Sequence, residues 1–431
     1  MSRLPLIADF LESINQYPAK RWVIALSGGL DSIVMLHLAA SNLPSSMLHV
    51  LHINHHLQSS ADEWSTFCKS QSEDLSLPFS QIDVFPENNG EAAARDARYL
   101  AFKDFLQDGD GLLLAHHADD QAETILFRLL RGSGLRGLAG IPTSRKLGAN
   151  DIVRPLLSVS RADIESYAHM HQLDWVEDPT NQQDTYDRNF LRLNVLPVLK
   201  QRWPNVVERF SSTSRLLYQD RELLDKYLDE EIAGLMLSER VLNGLMLASL
   251  TVGKRKALIR RWIYTQQGEP LNEVQLLQLE QNFFQSGLDK NPELILKTGV
   301  LRRYRKDLYL CANLVSEKEP NVQSLSEGQH KRKAGILTVE SEISGSSCLK
   351  TLDKLICVQR KDGMHCKPVG RGTKSLKKLF QEASIPPWQR ENWPVCMIEN
   401  EIVAIPGICV CEGWSVSPSE LPGFSLRWEP F

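Results

Sequence analysis

The first half of the chain alternates short apolar runs with amphipathic stretches. The apolar runs predict four strands, at Trp22–Leu26, Met47–Asn54, Pro78–Phe85 and Gly111–His117. Helical patterns lie at Ala61–Leu75 and Glu91–Leu106, and helices are also predicted from Asp31 and after Asp119. Such alternation predicts an α/β fold with a doubly wound, mostly parallel sheet, whose ligands bind at the carboxyl ends of the strands.

The second half has a different pattern, because from about residue 197 the periodicity becomes helical. Val206–Ile232 is one long amphipathic candidate, and helices are also predicted over Gly253–Gln267 and Glu273–Gln285. The polar segment Ser316–Lys333 is typical of a linker, and short apolar runs follow it. We predict a catalytic domain over residues 1–215, a helical domain over 216–315, a linker over 316–335 and a small α+β domain over 336–431.

Composition narrows the class of protein without identifying it. The 431 residues are 42% hydrophobic and 24% charged, and no apolar run is long enough to predict a membrane span. The N-terminus lacks the pattern of a signal peptide, and the eight cysteines form no C-x-x-C pair. A disulfide framework and a zinc site are not expected, a cytoplasmic location is predicted, and no obligate protein partner is indicated.

A polar turn follows the first predicted strand directly. It consists of Ser27, Gly28, Gly29, Leu30, Asp31 and Ser32. The glycines permit a tight turn and a close approach of ligand to backbone, while the next helix offers amides and partial positive charge to an anion. No Lys-Ser/Thr pair follows, so the turn is not a Walker A loop. Asp31 suits Mg²⁺ or a proton, and the alternative is a glycine turn with Asp31 as a helix cap.

The sequence SGGLDS resembles the PP-loop of the N-type ATP pyrophosphatases, the adenine nucleotide α-hydrolase-like enzymes. These enzymes cleave ATP between the α- and β-phosphates and adenylate a substrate oxygen. Five more stretches together resemble the tRNA(Ile)-lysidine synthetase family, and the C-terminal part of the chain resembles that family's long bacterial form. They are HINHHLQSSADEW (52–64), EAAARDARYLAF (91–102), AHHADDQAETILFRLLRGSGLRGLAGI (115–141), EDPTN (177–181) and YDRNFLRLNVLP (186–197). His56 and Gln58 depart from that family's pattern, in which a Gly and often a basic residue are expected.

The resemblance implies a reaction and its substrates. ATP would activate the C2 oxygen of the wobble cytidine in a tRNA(Ile) with a CAU anticodon, and the ε-amine of L-lysine would then displace AMP. The products would be lysidine, AMP and pyrophosphate, with ATP and Mg²⁺ required. The helical domain and the last domain would bind the tRNA.

The resemblance and the residue types together give the candidate catalytic residues. They are Asp31, Arg95, Arg98, His117, Asp120 and Glu123. The whole Ser27–Ser32 turn would bind ATP, with Asp31 as the metal ligand. The two arginines share a helix face and suit phosphate or a base edge, although a solvated basic face is the alternative. His117 would orient the cytosine, and Asp120 or Glu123 would take a proton, whereas the alternative for these acids is simple helix capping.

Substrate lysine and tRNA require charges of opposite sign. Asp119 and Asp178 are the predicted lysine-binding residues. The net charge is −4, yet basic clusters recur in the second half, where they suit RNA phosphates. The predicted tRNA-binding residues are Arg131, Arg188, Arg192, Lys254, Arg255, Arg260, Arg261, Lys374, Lys377 and Lys378. Arg302, Arg303 and Arg305 belong to a further basic cluster, and the alternative for each cluster is a solvated face over packed apolar residues.

Two other functions are considered. A PP-loop enzyme that adds sulfur to tRNA, such as a 2-thiolase, usually has cysteines in its catalytic domain, but this half of the chain contains only Cys68. A non-catalytic RNA-binding protein would not need the intact Ser-Gly-Gly-Leu-Asp-Ser turn. The sequence therefore favours lysidine synthesis.

Overall fold

The computed structural model describes residues 3–56, 58, 60–86, 90–178, 187–268, 270–287, 290–312, 323–332, 334–342, 348–416 and 422–430. The chain forms two compact units, Met1–Asp225 and Lys226–Phe431. None of the helices in the described ranges has the length and hydropathy that a membrane crossing needs.

The first unit is built on one six-stranded sheet. Its strands are β1 (Arg21–Ala25), β2 (Leu48–Asn54), β3 (Phe79–Asp83), β4 (Asp110–Leu113), β5 (Ser144–Leu147) and β6 (Asn150–Val153). Their order is β3-β2-β1-β4-β6-β5, and only the β5–β6 pair is antiparallel. The helices are α1 (Arg3–Asn15), α2 (Leu30–Asn42), α3 (Ala61–Asp74), α4 (Glu91–Phe105), α5 (Ala118–Leu130), α6 (Leu135–Leu138), α7 (Arg161–Met170), α8 (Asp187–Phe190) and α9 (Leu196–Arg202), and α10 (Val206–Leu235) begins in this unit and ends in the second. The predicted doubly wound, mostly parallel sheet is confirmed.

Alternate residues of the central strand pack on opposite faces of this sheet. Trp22 and Ile24 belong to one core cluster, together with Phe10 of α1. Val23 lies between them in sequence and belongs to a second cluster, with Phe102 of α4. All five side chains are almost fully buried, so the period-2 pattern of an apolar strand covered on both faces is satisfied. This two-sided core leaves the carboxyl ends of the strands as the edge where polar groups collect.

The second unit contains antiparallel sheets and short helices. Its strands are β7 (Met236–Ser238), β8 (Val241–Leu242), β9 (Glu293–Ile295), β10 (Gly299–Tyr304), β11 (Asp307–Ala312), β12 (Gln323–Ser324), β13 (Gly328–Arg332), β14 (Gly335–Glu342), β15 (Ile356–Gln359), β16 (His365–Cys366), β17 (Lys374–Ser375), β18 (Pro394–Ile398), β19 (Glu401–Ile405), β20 (Cys409–Val410) and β21 (Gly423–Pro430). Its helices are α11 (Gly244–Ser249), α12 (Val252–Gln267), α13 (Glu273–Leu279), α14 (Leu376–Glu382) and α15 (Pro387–Arg390). The larger sheets have the orders β7-β8-β11-β10-β9, β12-β15-β18-β19-β20 and β13-β14-β21.

Part of the segment predicted as a linker is ordered into strands. β12 pairs with β15, and β13 pairs with β14. These strands therefore belong to the sheets of the C-terminal part of the chain.

Candidate active site

The turn between β1 and α2 is held tightly at Gly28. Its φ is +85°, a conformation that residues with a Cβ rarely adopt. A Cβ there would lie 2.9 Å from Cγ2 of Val176, and the Val176 amide donates a hydrogen bond of 2.9 Å to the Gly28 carbonyl. A larger residue would therefore have to displace either the turn or the neighbouring segment.

Two serines brace the same turn. Ser32 Oγ donates to the carbonyl of Gly29 at 2.9 Å and lies 3.1 Å from Ser27 Oγ. Gly29 is the N-cap of α2, and its lack of a side chain leaves the first turn of the helix without a side-chain cap. The first-turn amides of α2 can therefore serve an anion such as a phosphate.

His117 lies between β4, the strand next to β1, and α5, and its side chain lies near Asp31 of this turn. The predicted strand Gly111–His117 is shorter in the structure, and His117 is instead the N-cap of α5, where its Nδ1 accepts from the Asp119 amide at 3.2 Å. Nε2 of His117 lies 3.6 Å from Oδ2 of Asp31 and 3.6 Å from Oδ2 of Asp120. Burial lowers the pKa of His117, but the carboxylates of Asp120 and Asp31 outweigh burial, and the pKa is raised.

The carboxylate of Asp120 beside His117 has a lowered pKa. Burial raises the pKa of Asp120, but the charges of His117, His116 and nearby arginines outweigh burial and lower it to about 2. Oδ1 of Asp31 is buried without a hydrogen-bond partner, whereas Oδ2 lies 3.5 Å from Arg161 Nη1. A carboxylate with an unused oxygen beside a phosphate site fits Mg²⁺, which commonly takes one or two carboxylates and completes its shell with phosphates and waters. Among the described residues, no group of three or more His, Cys, Asp or Glu side chains is arranged to hold a metal ion without other ligands.

Glu123 is 1% exposed and is held by two arginines. Arg188 Nε donates to it at 3.0 Å, and Arg192 donates through Nε at 2.5 Å and through Nη2 at 3.0 Å. Arg192 also reaches Asp120 at 3.3 Å. Both arginines are predicted from the sequence to contact RNA phosphates, but in the structure their guanidinium groups neutralise the buried carboxylates of α5, which could not remain charged alone.

The Asp119 carboxylate binds two groups that the sequence did not predict, the Lys200 ammonium and the Arg161 amide. Lys200 Nζ lies 2.5 Å from Oδ1, and the amide of Arg161 donates to Oδ2 at 2.9 Å. The pKa of Asp119 is lowered because Lys200 and the Arg161 amide outweigh the effect of burial, which alone would raise it. Asp119 therefore anchors α9 and α7 to α5, and the ammonium that it binds in this structure is that of Lys200.

Arginines gather around Tyr99 on α4. The Arg95 guanidinium lies 5.5 Å and that of Arg145 4.3 Å from the centre of the Tyr99 ring. Burial would raise the pKa of Tyr99, but the charges of Arg154, Arg145, Arg95 and Arg98 lower it. The predicted pair Arg95 and Arg98 is therefore part of a larger cationic cluster, which suits a polyanion.

Asp178 and Gln58 meet across the chain. Gln58 Nε2 donates to both carboxylate oxygens of Asp178, at 3.0 and 3.1 Å. Gln58 is one of the two departures from the family pattern. In this chain its amide therefore holds a predicted lysine-binding carboxylate in place.

The basic clusters of the second unit separate into buried and exposed groups. Arg255, which is predicted from the sequence to bind tRNA, is 6% exposed and pairs with Glu280, which is also 6% exposed, so in this structure its guanidinium serves the protein interior. Arg303 is 3% exposed and donates to the carbonyls of Phe283 and Gly287, so it too serves the protein interior. A buried guanidinium cannot reach a phosphate without leaving these partners.

The remaining predicted RNA-binding side chains lie at or near the surface. Lys254 pairs with Glu231 at 2.8 Å, Arg261 with Asp229 at 2.6 Å and Lys374 with Glu382 at 2.8 Å. Arg131 stacks over Phe127 at 4.0 Å and lies 3.4 Å from Asp187. Lys377 and Lys378 are exposed, and Arg260 is half-buried. These positions stay predictions.

The cysteine of the first unit has no reactive character. Cys68 is fully buried on α3, and burial raises its pKa to about 12. A thiol in this state is neither a nucleophile nor a ready ligand for a cluster, so sulfur transfer finds no support here.

Comparisons with known proteins agree along nearly the whole chain. A family model described as a PP-loop domain matches residues 4–199, a TilS substrate binding domain matches 246–309, and a TilS substrate C-terminal domain matches 356–428. A tRNA(Ile)-lysidine synthase of Coxiella burnetii is 36% identical over 419 residues, covering 94% of this chain and 93% of that protein. One of Serratia proteamaculans is 37% identical over 416 residues, covering 94% and 95%.

Proposed function

Because the chain belongs to the tRNA(Ile)-lysidine synthase family, we propose how its described residues carry out lysidine formation. The enzyme uses ATP to form lysidine on tRNA(Ile). The finer points that we propose are the use of Mg²⁺, the position of substrate lysine and the roles of single side chains. We place this activity in the cytoplasm, where tRNA is available.

The first step is adenylation of the wobble cytidine. The C2 oxygen of cytosine attacks the α-phosphate of ATP, a bond forms between that oxygen and phosphorus, and pyrophosphate leaves. The amides at the start of α2 and the hydroxyls of Ser27 and Ser32 bind the departing phosphates. Because Nδ1 of His117 accepts a hydrogen bond from the Asp119 amide, the ring proton lies on Nε2, between the carboxylates of Asp31 and Asp120, where it can be donated to this charge.

Mg²⁺ fits at Asp31, whose Oδ1 has no hydrogen-bond partner. When bound there, the ion would neutralise phosphate charge that develops during the displacement. Asp31 itself keeps its other oxygen near His117 and Arg161. One oxygen of the Asp31 carboxylate could therefore ligate Mg²⁺ while the other orients His117 and Arg161.

In the second step the lysine ε-ammonium gives one proton to water, and the neutral amine attacks C2, after which the C2–O bond breaks and AMP leaves with its electrons. Asp178 suits an ammonium group of the incoming lysine, because Gln58 fixes both of its oxygens from one side. Asp119 is less suited, since Lys200 already holds it. Arg95 and Arg98 suit the tRNA backbone or the cytosine edge as part of the cationic cluster around Tyr99.

One observation supports this proposal most strongly: the anion-binding turn and the His117, Asp31 and Asp120 group lie at the same edge of the sheet. The test replaces Asp31 with Asn and measures tRNA-dependent release of pyrophosphate over a range of Mg²⁺ concentrations. We expect activity to fall by at least about a hundredfold, as for loss of a group that acts on transition-state charge. Asp151→Asn is the matched control, since the Asp151 side chain is 26% and that of Asp31 29% exposed. Near-normal activity of Asp31→Asn with unchanged Mg²⁺ dependence would remove Asp31 from this role.

A further inference from the structure

An exposed aromatic ring lies at the carboxyl edge of the six-stranded sheet, and it has no role in the proposed reaction steps. Phe85 is 79% exposed, a high value for so large an apolar side chain. One face of its ring is covered by His56, with ring centres 5.2 Å apart and planes inclined by only 8°. The opposite face has no ring partner among the described residues.

The register of the sheet explains why these two rings meet. Asn54 at the end of β2 is paired with Asp83 at the end of β3. His56 and Phe85 each lie two residues beyond that pair, so they continue side by side past the last rung of the ladder. They therefore stand at the carboxyl edge, the edge that holds the anion-binding turn.

His56 is fixed firmly although its backbone is strained. Its φ is +51°, in the left-handed region where the family pattern has glycine. The amide of His56 donates to Oδ1 of buried Asn54 at 2.9 Å, and its Nε2 lies 3.0 Å from Asp83. A side chain held in a costly conformation by several contacts suggests a use for that side chain.

The surroundings of the ring pair match a nucleic acid. His55 lies next to His56 in the chain, and its surroundings include the charge of Arg98, a member of the cationic cluster around Tyr99. Aromatic rings beside a cationic groove are the usual means of holding unstacked bases, because every base offers a π-face. β3 is separated from β1 by one strand, so the rings stand on the order of 10 Å to the side of the turn that binds ATP phosphates.

We infer that Phe85, backed by His56, is a stacking platform for an anticodon-loop base next to the wobble cytidine, an inference that rests on the proposed function. To present its C2 oxygen to ATP, the wobble cytidine has to leave the stack of the anticodon loop. Its neighbour then loses a stacking partner. The open face of Phe85 replaces that partner at the edge where the cytidine enters.

The experiment compares steady-state kinetics of Phe85→Ala, Phe85→Trp and the full-length parent, with tRNA(Ile) and ATP varied in turn. Loss of one base–aromatic stack corresponds to a change of roughly 5- to 150-fold. We expect Phe85→Ala to raise KM for tRNA by at least about fivefold, with KM for ATP unchanged. Phe85→Trp restores the parent value because it restores the aromatic face. Met170→Ala is the control, since Met170 is also an exposed apolar side chain, at 53%.

The outcomes separate this inference from the proposed function. If the parent does not modify tRNA(Ile), the proposed function fails. If the parent is active and Phe85→Ala leaves both KM values unchanged, the platform is refuted while the function stands. A rise in KM for ATP alone also refutes it, because the ring would then stack on the adenine of ATP.

Discussion

The buried pair Arg255–Glu280 allows a sharp test of which basic residues belong to the tRNA surface. Arg255 donates from Nε to Glu280 Oε2 at 3.1 Å, and from Nη2 to Oε1. Its Nη1 faces the carbonyls of Leu247, Ala248 and Leu250, each at 3.3 Å. The guanidinium also lies 4.3 Å from the centre of the Phe284 ring. Its donors are thus spent inside the protein.

Arg255→Met removes one partner of this pair and leaves the buried Glu280 carboxylate without its ion-pair partner. Breaking a buried ion pair in this way costs about 3–5 kcal/mol. For a unit of this size, that loss corresponds to a fall in Tm of roughly 6–20 °C. Replacing both partners, as in Arg255→Met with Glu280→Leu, removes the stranded charge and should recover most of the loss.

The assay combines thermal unfolding with tRNA binding as a function of salt. Each phosphate contact that is lost reduces the slope of log K against log[salt] by about 0.9. We expect Arg255→Met to lower Tm without changing this slope at temperatures where the protein is folded. Lys254→Met, at an exposed neighbouring position, is the control for a surface cation. An unchanged Tm together with a smaller salt slope would show that Arg255 contacts RNA, and the structural reasoning would be refuted.

Three other perturbations have defined outcomes. Gly28→Ala should destabilise the protein by about 1–3 kcal/mol in urea unfolding, because φ is +85° and Val176 lies 2.9 Å from the added Cβ; no change would contradict the tight turn. Glu123→Gln should cost roughly 1.5–3 kcal/mol, since Arg188 and Arg192 lose a buried charged acceptor; a more stable variant would contradict this pairing. Burial lowers the pKa of His116 to about 3 from 6.5, so stability is lost as pH falls below 6.5, where the unfolded chain takes up the proton first. His116→Asn should therefore flatten the decline in unfolding free energy between pH 6.5 and about 4, and an unchanged slope would show that His116 is already charged in the folded protein.

The sheet could be predicted because its information is local. Apolar runs of strand length set the positions of β1, β2 and β4, and burial on both faces explains why those runs are continuous rather than alternating. The error at His117 is also instructive. The apolar run continues past Leu113, so the sequence predicts a strand as far as His117. In the structure the strand ends at Leu113, and the His117 side chain caps α5.

The buried position of Arg255 could have been predicted from the sequence. Leu258, Ile259 and Trp262 lie three, four and seven positions further along α12, and all are buried, so helical periodicity places Arg255 on the inner face. Lys254, one position away, points elsewhere. Arg303 gives the same lesson in β10, where period 2 places it on the buried side with Leu301.

The cationic partners of the carboxylates on α5 could not have been predicted from the sequence. Lys200 is 81 positions from Asp119, and Arg192 is 69 positions from Glu123. Nothing in a local pattern specifies such pairs, since they form only when α8 and the segment Leu191–Val195 that follows it pack against α5. The sequence therefore predicts the acidic cluster but not the cations that pair with it in the structure.

The central claim is that the turn at Ser27–Ser32 directs AMP to the C2 oxygen of a wobble cytidine, which lysine then attacks. The most direct measurement incubates the enzyme with tRNA(Ile), ATP and isotopically labelled lysine, followed by nucleoside mass analysis of the anticodon. We predict one label per tRNA, confined to the wobble nucleoside, with one pyrophosphate released for each. Pyrophosphate release without any label at that nucleoside, or labelling without ATP, would contradict the account.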